Sequence, residues 1–224
     1  MNPLLAILTI FVHPAASVRY QKALGGFAWF PPFALAVAAS AAGYYLLRPL
    51  MLPVIRAELM QKLPPDQVQQ ALDSATASMN FGAIFSPLML LIMLGVSAGL
   101  VVAFSTIAGI RVLFTQAFVL LAHASLIPMS ATLLQFGQVR SRGVLHSMQE
   151  LQPVFGLDLL LASDAPRLLR ALLNYFSVFT IWYIVVLALG YAALTGVPKL
   201  KAFFITSPVW LLGLVFALAA ALAA

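Results

Sequence analysis

Hydrophobic residues run along this chain in long unbroken blocks, not in alternation. Five blocks, Phe27–Leu47, Ile84–Ala108, Val112–Phe136, Ala171–Thr195 and Ala202–Ala223, contain no Lys, Arg, Asp or Glu. Each holds about 21–25 residues, which as a helix covers the roughly 30 Å hydrocarbon core of a bilayer. A charge at the centre of a spanning helix costs about 2.5–3.5 kcal/mol, so charge-free windows of this length point to lipid surroundings. The pattern predicts an all-α, polytopic transmembrane helical bundle with five spans and short interfacial helices.

The segments between the blocks carry their own signals. Leu4–Val12 is apolar, too short to span, and stopped by His13-Pro14; no basic residue precedes it, so it does not read as a signal peptide. It reads as an interfacial helix with Leu4, Leu5, Leu8 and Phe11 on one face, followed by Arg19 and Lys22 as headgroup contacts. Residues 1–26 thus form an interfacial N-terminal segment and 27–224 the five-span domain, with Gly25-Gly26 as the break. Trp29 and Phe30 sit at the depth of an aromatic belt. Between the first two spans, Arg48–Ala83 reads as two short surface helices, one over Pro53–Lys62 and one starting at Leu63-Pro64-Pro65-Asp66. Gly109-Ile110-Arg111 leaves room only for a tight helical hairpin, and Pro128 predicts a kink in the third span. The third connection, Gly137–Arg170, holds four arginines, the apolar piece Phe155–Ala162, and Asp164 before Pro166 as a helix cap into the fourth span.

Composition narrows the function classes. Hydrophobic residues make up 63% and charged residues 8%, against about 25% charged in a soluble domain, so too little polar surface exists to cover a soluble core. The net charge of +6 sits in loops beside apolar helices, where it serves anionic headgroups and topology; no Lys/Arg run interleaved with aromatics suggests nucleic acid. Five spans put Lys and Arg in the ratio of five on the N-terminal side to seven on the other, a lean toward an outside N-terminus. With no cysteine, disulfides, thiolate metal sites and S-palmitoylation are excluded.

Candidate chemistry lies inside the spans. Gly95-Val96-Ser97-Ala98-Gly99 matches the G-x-S-x-G pattern of serine hydrolases, but that pattern works on a strained strand-to-helix turn, and here it falls mid-helix. The competing reading is a packing stripe in which Gly95 and Gly99 admit a neighbouring helix. Gln116, His123 and Ser130 recur at intervals of seven on the third span and share a face. Asn174, Ser177 and Thr180 polarise the start of the fourth span and are expected to lie opposite that face. His123 is either inter-helix glue or a proton or ligand group. Three scattered histidines and no carboxylate in any block argue against a metal, and no motif calls for a cofactor.

Several segments together resemble the bacterial branch of the Yip-domain (Ypt/Rab-interacting protein) family. They are Asn174-Tyr175-Phe176-Ser177-Val178-Phe179-Thr180-Ile181-Trp182-Tyr183 with Leu189-Gly190-Tyr191, Lys199-Leu200-Lys201-Ala202-Phe203, Ala122-His123-Ala124-Ser125-Leu126-Ile127-Pro128 and Phe11-Val12-His13-Pro14. The resemblance implies a five-span protein of the bacterial cytoplasmic membrane with a cytosolic N-terminus, in opposition to the charge count. It also implies a non-enzymatic role in envelope or membrane transport, through packing and contact with lipid or an unidentified protein partner. Eukaryotic members act with small GTPases through an Asp-Leu-Tyr-Gly-Pro element that this chain lacks, so GTPase binding is not carried over. The alternatives are a small transporter or transporter subunit with a cavity beside the kinked third span, and an intramembrane serine protease pairing Ser97 with His123.

Overall fold

The computed structural model describes residues 3–151, 156–161 and 165–223, and among these every regular element is helical. Five helices are long and apolar enough to cross a bilayer, making this an all-α, membrane-embedded bundle. The chain divides into two compact units. One comprises Met1–Ala34, Ile92–Met129 and Phe155–Ala224; the other comprises Leu35–Leu91 and Ser130–Val154.

The elements begin with α1 (Pro3–Val12) and α2 (Pro14–Leu24), separated at His13, and a 3-10 turn over Gly25–Phe27. The first unit buries Ile7 and Ile10 of α1, while Leu8 and Val12 face outward. Helix α3 then runs from Phe30 to Lys62 and α4 from Pro65 to Ile107, with only a bend at residues 63–64 between them. The two separate surface helices expected in Arg48–Ala83 are therefore continuous with the spans. At about 1.5 Å per residue, 33 and 43 residues reach well beyond a roughly 30 Å core, so each helix has a polar extension.

Interior prolines explain why this was hard to read. Pro49 and Pro53 remove two backbone donors from α3, at a usual cost of about 3 kcal/mol each. Packing offsets the loss: Leu47 and Val54 are buried with Val139 and Leu145 in the core of the second unit. In that unit the Tyr44 hydroxyl also donates to Asn80 Oδ1 at 2.6 Å, tying α3 to α4. Elsewhere a serine precedes the proline and occupies the carbonyl that the proline leaves free. Ser86 donates to the Ala83 carbonyl before Pro87, and Ser207 to the Phe204 carbonyl before Pro208.

The third span is two helices, α5 (Phe114–Ala124) and α6 (Leu126–Arg142), interrupted at Ser125. Pro128 stands in the first turn of α6, where it cannot donate to the Ala124 carbonyl, so the interruption falls where the proline predicts a kink. The fourth span is shorter than expected. A separate helix α7 covers Arg167–Tyr175, and the span itself is α8, Val178–Thr195. Ser177 makes the break: its Oγ accepts the Thr180 amide at 3.1 Å as an N-cap, which requires extended backbone at Ser177. Asp164 lies outside the described residues; Pro166 immediately precedes α7. Helix α9 (Lys199–Ala223) completes the fold after Gly196, whose φ of 77° closes α8 in the left-handed conformation.

In the first unit, α1 packs on α2 and α5, α2 on α5 and α8, and α9 on α7 and α8. Nearly every residue of α5 from Ala117 to Ala124 is buried. Close approaches occur at glycines that the sequence did not single out for packing. A Cβ at Gly190 would stand 2.5 Å from Leu120, and one at Gly213 would stand 2.8 Å from the Tyr175 hydroxyl.

Candidate functional site

One end of the first unit contains a cavity of about 210 Å³ lined by Val18 and Gln21 of α2, Gly26, Thr115, Gln116 and Val119 of α5, and Leu194 of α8. The break at Gly25-Gly26 turns the chain after α2, so that the 3-10 turn sits over the start of α5. Trp29, just beyond, holds this corner by an edge-on contact with Phe118 at 5.6 Å. The polar lining is two carboxamides and a hydroxyl. Gln21 is buried and donates from Nε2 to Ser17 Oγ at 2.9 Å, one turn back on α2. Gln116 accepts the Leu113 amide through Oε1 at 3.2 Å, capping the start of α5. Among the described residues the lining carries no charge, and its carboxamides and hydroxyl suit a neutral polar group.

The third-span residues separate in role. Gln116 lines the cavity. His123, 1% exposed, sits two turns further along α5 and pairs its Nδ1 with the Val119 carbonyl of its own helix at 2.9 Å. Ser130 falls in the second unit, half-buried near the start of α6. Asn174 and Ser177, expected opposite His123, are used elsewhere. The Asn174 carboxamide packs against Gly156, where an added Cβ would meet its Oδ1 at 2.8 Å, and Ser177 caps α8. The reason is the break at Ser177, which places Asn174 on α7, a helix that packs on α9 and on the 3-10 turn Leu157–Leu160.

The packing stripe at Gly95 and Gly99 is also corrected. A Cβ built at either glycine meets nothing within 4 Å, so no described residue approaches the stripe closely. Small residues permit approach without compelling it, and α4 presents much of this stretch outward, with Met93 and Val96 exposed. Among the described residues, no group of three His, Asp or Glu side chains is close enough to hold a metal ion.

The polar ties that the sequence reading missed join distant elements. Ser105 of α4 and Tyr191 of α8 are fully buried, with their hydroxyl oxygens 2.6 Å apart. Trp182 Nε1 donates to the Phe11 carbonyl at 3.1 Å, joining α8 to α1, and the Tyr175 hydroxyl donates to the Trp210 carbonyl, joining α7 to α9. A tyrosine inside an apolar block was the available signal, because its hydroxyl must find a partner when buried in lipid. Gln21 could have been found by its i−4 relation to Ser17. Comparison with protein-family profiles, with curated proteins and with solved structures finds no match.

Proposed function

We propose that this chain is a non-enzymatic, Yip-like integral membrane protein that acts as a packed helical scaffold for a membrane partner or lipid. The observation carrying this reading is the direction of hydrogen bonds from polar groups within the bundle. Ser105, Trp182 and Tyr175 each join two elements, while Gln116, His123 and Ser177 bond within their own turn or helix cap. Such bonds are worth about 0.6–1.7 kcal/mol in a membrane and stabilise one fixed assembly. All six acidic residues lie outside the charge-free blocks.

The Yip-like reading rests on the segments that carry the resemblance, two of which, around Phe11 and Trp182, are joined by a hydrogen bond. By that resemblance the protein resides in a bacterial cytoplasmic membrane with its N-terminus in the cytosol and serves envelope or membrane transport. A second reading, a small transporter or transporter subunit, is favoured by the cavity with Gln21, Thr115 and Gln116 beside the third span. Two measurements on nanodisc- and liposome-reconstituted protein separate them. The scaffold reading expects a stoichiometric membrane-protein partner to be captured by cross-linking from native membranes, with no solute uptake. Solute uptake that Gln116→Leu abolishes, with no partner captured, would replace it with the transporter.

A further inference from the structure

Charge is divided unevenly between the connections. Arg19 and Lys22 in α2, Arg111 after α4, and Lys199 and Lys201 opening α9 share their connections with no Asp or Glu. The other seven cations share theirs with all six acids. The acid-free segments meet at one end of the first unit. Helix α2 and Gly26 line one cavity with Thr115, Gln116 and Leu194, and Lys201 Nζ donates to the Ala108 carbonyl at 3.3 Å.

Beside that last bond, α4 and α9 leave an open groove of about 570 Å³. Its walls are apolar, with Phe104, Ile107, Leu200 and Phe204 exposed by 40–81%, and Lys201 is its one charged residue. The Ala108 carbonyl belongs to the C-terminal end of α4, where the helix dipole favours a cation and holds the ammonium at the rim. That bond uses one of the three N–H donors of Lys201. Arg111 and Lys199, both exposed, flank it on the same connections.

We infer that this groove is a binding site for one anionic glycerophospholipid, with its phosphate on Lys201 and an acyl chain along Phe104, Ile107, Leu200 and Phe204. The combination selects this occupant. The trough is apolar and open, the one charge among its described lining residues is positive, and the connections that carry it hold no Asp or Glu. A zwitterionic lipid would gain the trough but little from the Lys201 ammonium. The site rests on the scaffold reading only in placing these helices in a bilayer.

The test is native mass spectrometry of the full chain in neutral detergent, titrated with phosphatidylglycerol or with phosphatidylcholine of identical acyl chains. The expected result is retention of one phosphatidylglycerol with at least fivefold preference. Lys201→Gln should lower phosphatidylglycerol affinity about fivefold, the equivalent of one cation near an anionic surface at about 1 kcal/mol, and leave phosphatidylcholine unchanged. Lys201→Arg should retain the preference, Lys199→Gln should change it less than twofold, and Phe204→Ala should weaken both lipids. Circular dichroism and gel filtration confirm that each variant is folded. Equal losses in Lys199→Gln and Lys201→Gln would reveal diffuse charge and overturn the site. Equal affinity for the two lipids, or a dimer that excludes lipid from the groove, would overturn it as well. Partner capture by the Lys201→Gln protein reads the scaffold function separately, so failure of one is not failure of the other.

Discussion

The buried contact between Ser105 and Tyr191 sets up an asymmetric mutational effect. Ser105 donates to the Val101 carbonyl and lies 2.6 Å from the Tyr191 hydroxyl. A serine hydroxyl has one proton and a carbonyl can only accept, so the proton between the two hydroxyls belongs to Tyr191. Tyr191→Phe removes that donor and keeps the ring, leaving Ser105 with its own proton still bonded. The loss is one intramembrane hydrogen bond, about 0.6 and at most about 1.7 kcal/mol. Ser105→Ala instead leaves a phenolic proton without an acceptor where both residues are 0% exposed, which costs about 1–3 kcal/mol. The double variant should fall close to Tyr191→Phe alone, because it removes the orphaned donor. Unfolding by SDS from mixed micelles, followed by far-ultraviolet circular dichroism, measures all three. A larger loss in Tyr191→Phe than in Ser105→Ala, or strictly additive losses in the double variant, would refute the assignment of the proton and of the tie.

His123→Leu should cost less than about 1.5 kcal/mol and leave partner capture intact, since the Val119 carbonyl keeps its helical bond; loss of function in a folded variant would assign His123 a proton or ligand role. Gly190→Val should destabilise the bundle by about 1–3 kcal/mol through collision with buried Leu120, whereas Gly95→Leu should leave stability nearly unchanged, as the same SDS titration reads. Gly43→Ala should cost a similar amount by meeting the Phe136 ring, and Phe136→Leu should recover part of it. Trp182→Phe should release α1 from α8, seen as faster hydrogen exchange over residues 3–12 without global unfolding.

The class of the fold was legible because absence of charge over 20 residues has one cheap explanation, and the five expected spans correspond to the five long apolar helices. The helix start at Pro65 and the interruption of the third span were also legible, since proline and its flanks act locally. The lengths of α3 and α4 were not. Pro49 and Pro53 signal a break, against which stand the long-range burial of Leu47 and Val54 with Val139 and Leu145 and the Tyr44–Asn80 bond. Ser177 was read as a polar partner inside a span, whereas its shorter-range option, capping Thr180, divides the segment in two.

The candidate site divided in the same way. Gln116 was legible as a polar group in an apolar block, and it does line a cavity. The groups that share its cavity from other elements, Val18 and Gln21 of α2, Gly26 and Leu194 of α8, are distant in sequence, and no periodicity links them. Seven-residue spacing aligned His123 with Gln116 only while α5 and its neighbours determined which side of the helix was open. The Gly95 and Gly99 stripe shows the converse: spacing can make close approach possible, but the partner helix decides whether it happens.

The absence of cysteine allows single cysteines to be placed at Leu8, Ile110, Val197, Asp66 and Asp158 and probed in intact vesicles with a membrane-impermeant maleimide. Five crossings require Leu8, Ile110 and Val197 to label from one side and Asp66 and Asp158 from the other, with the first group facing the cytosol in the Yip-like orientation. Labelling of Ile110 and Asp158 from the same side would contradict the five-span architecture itself.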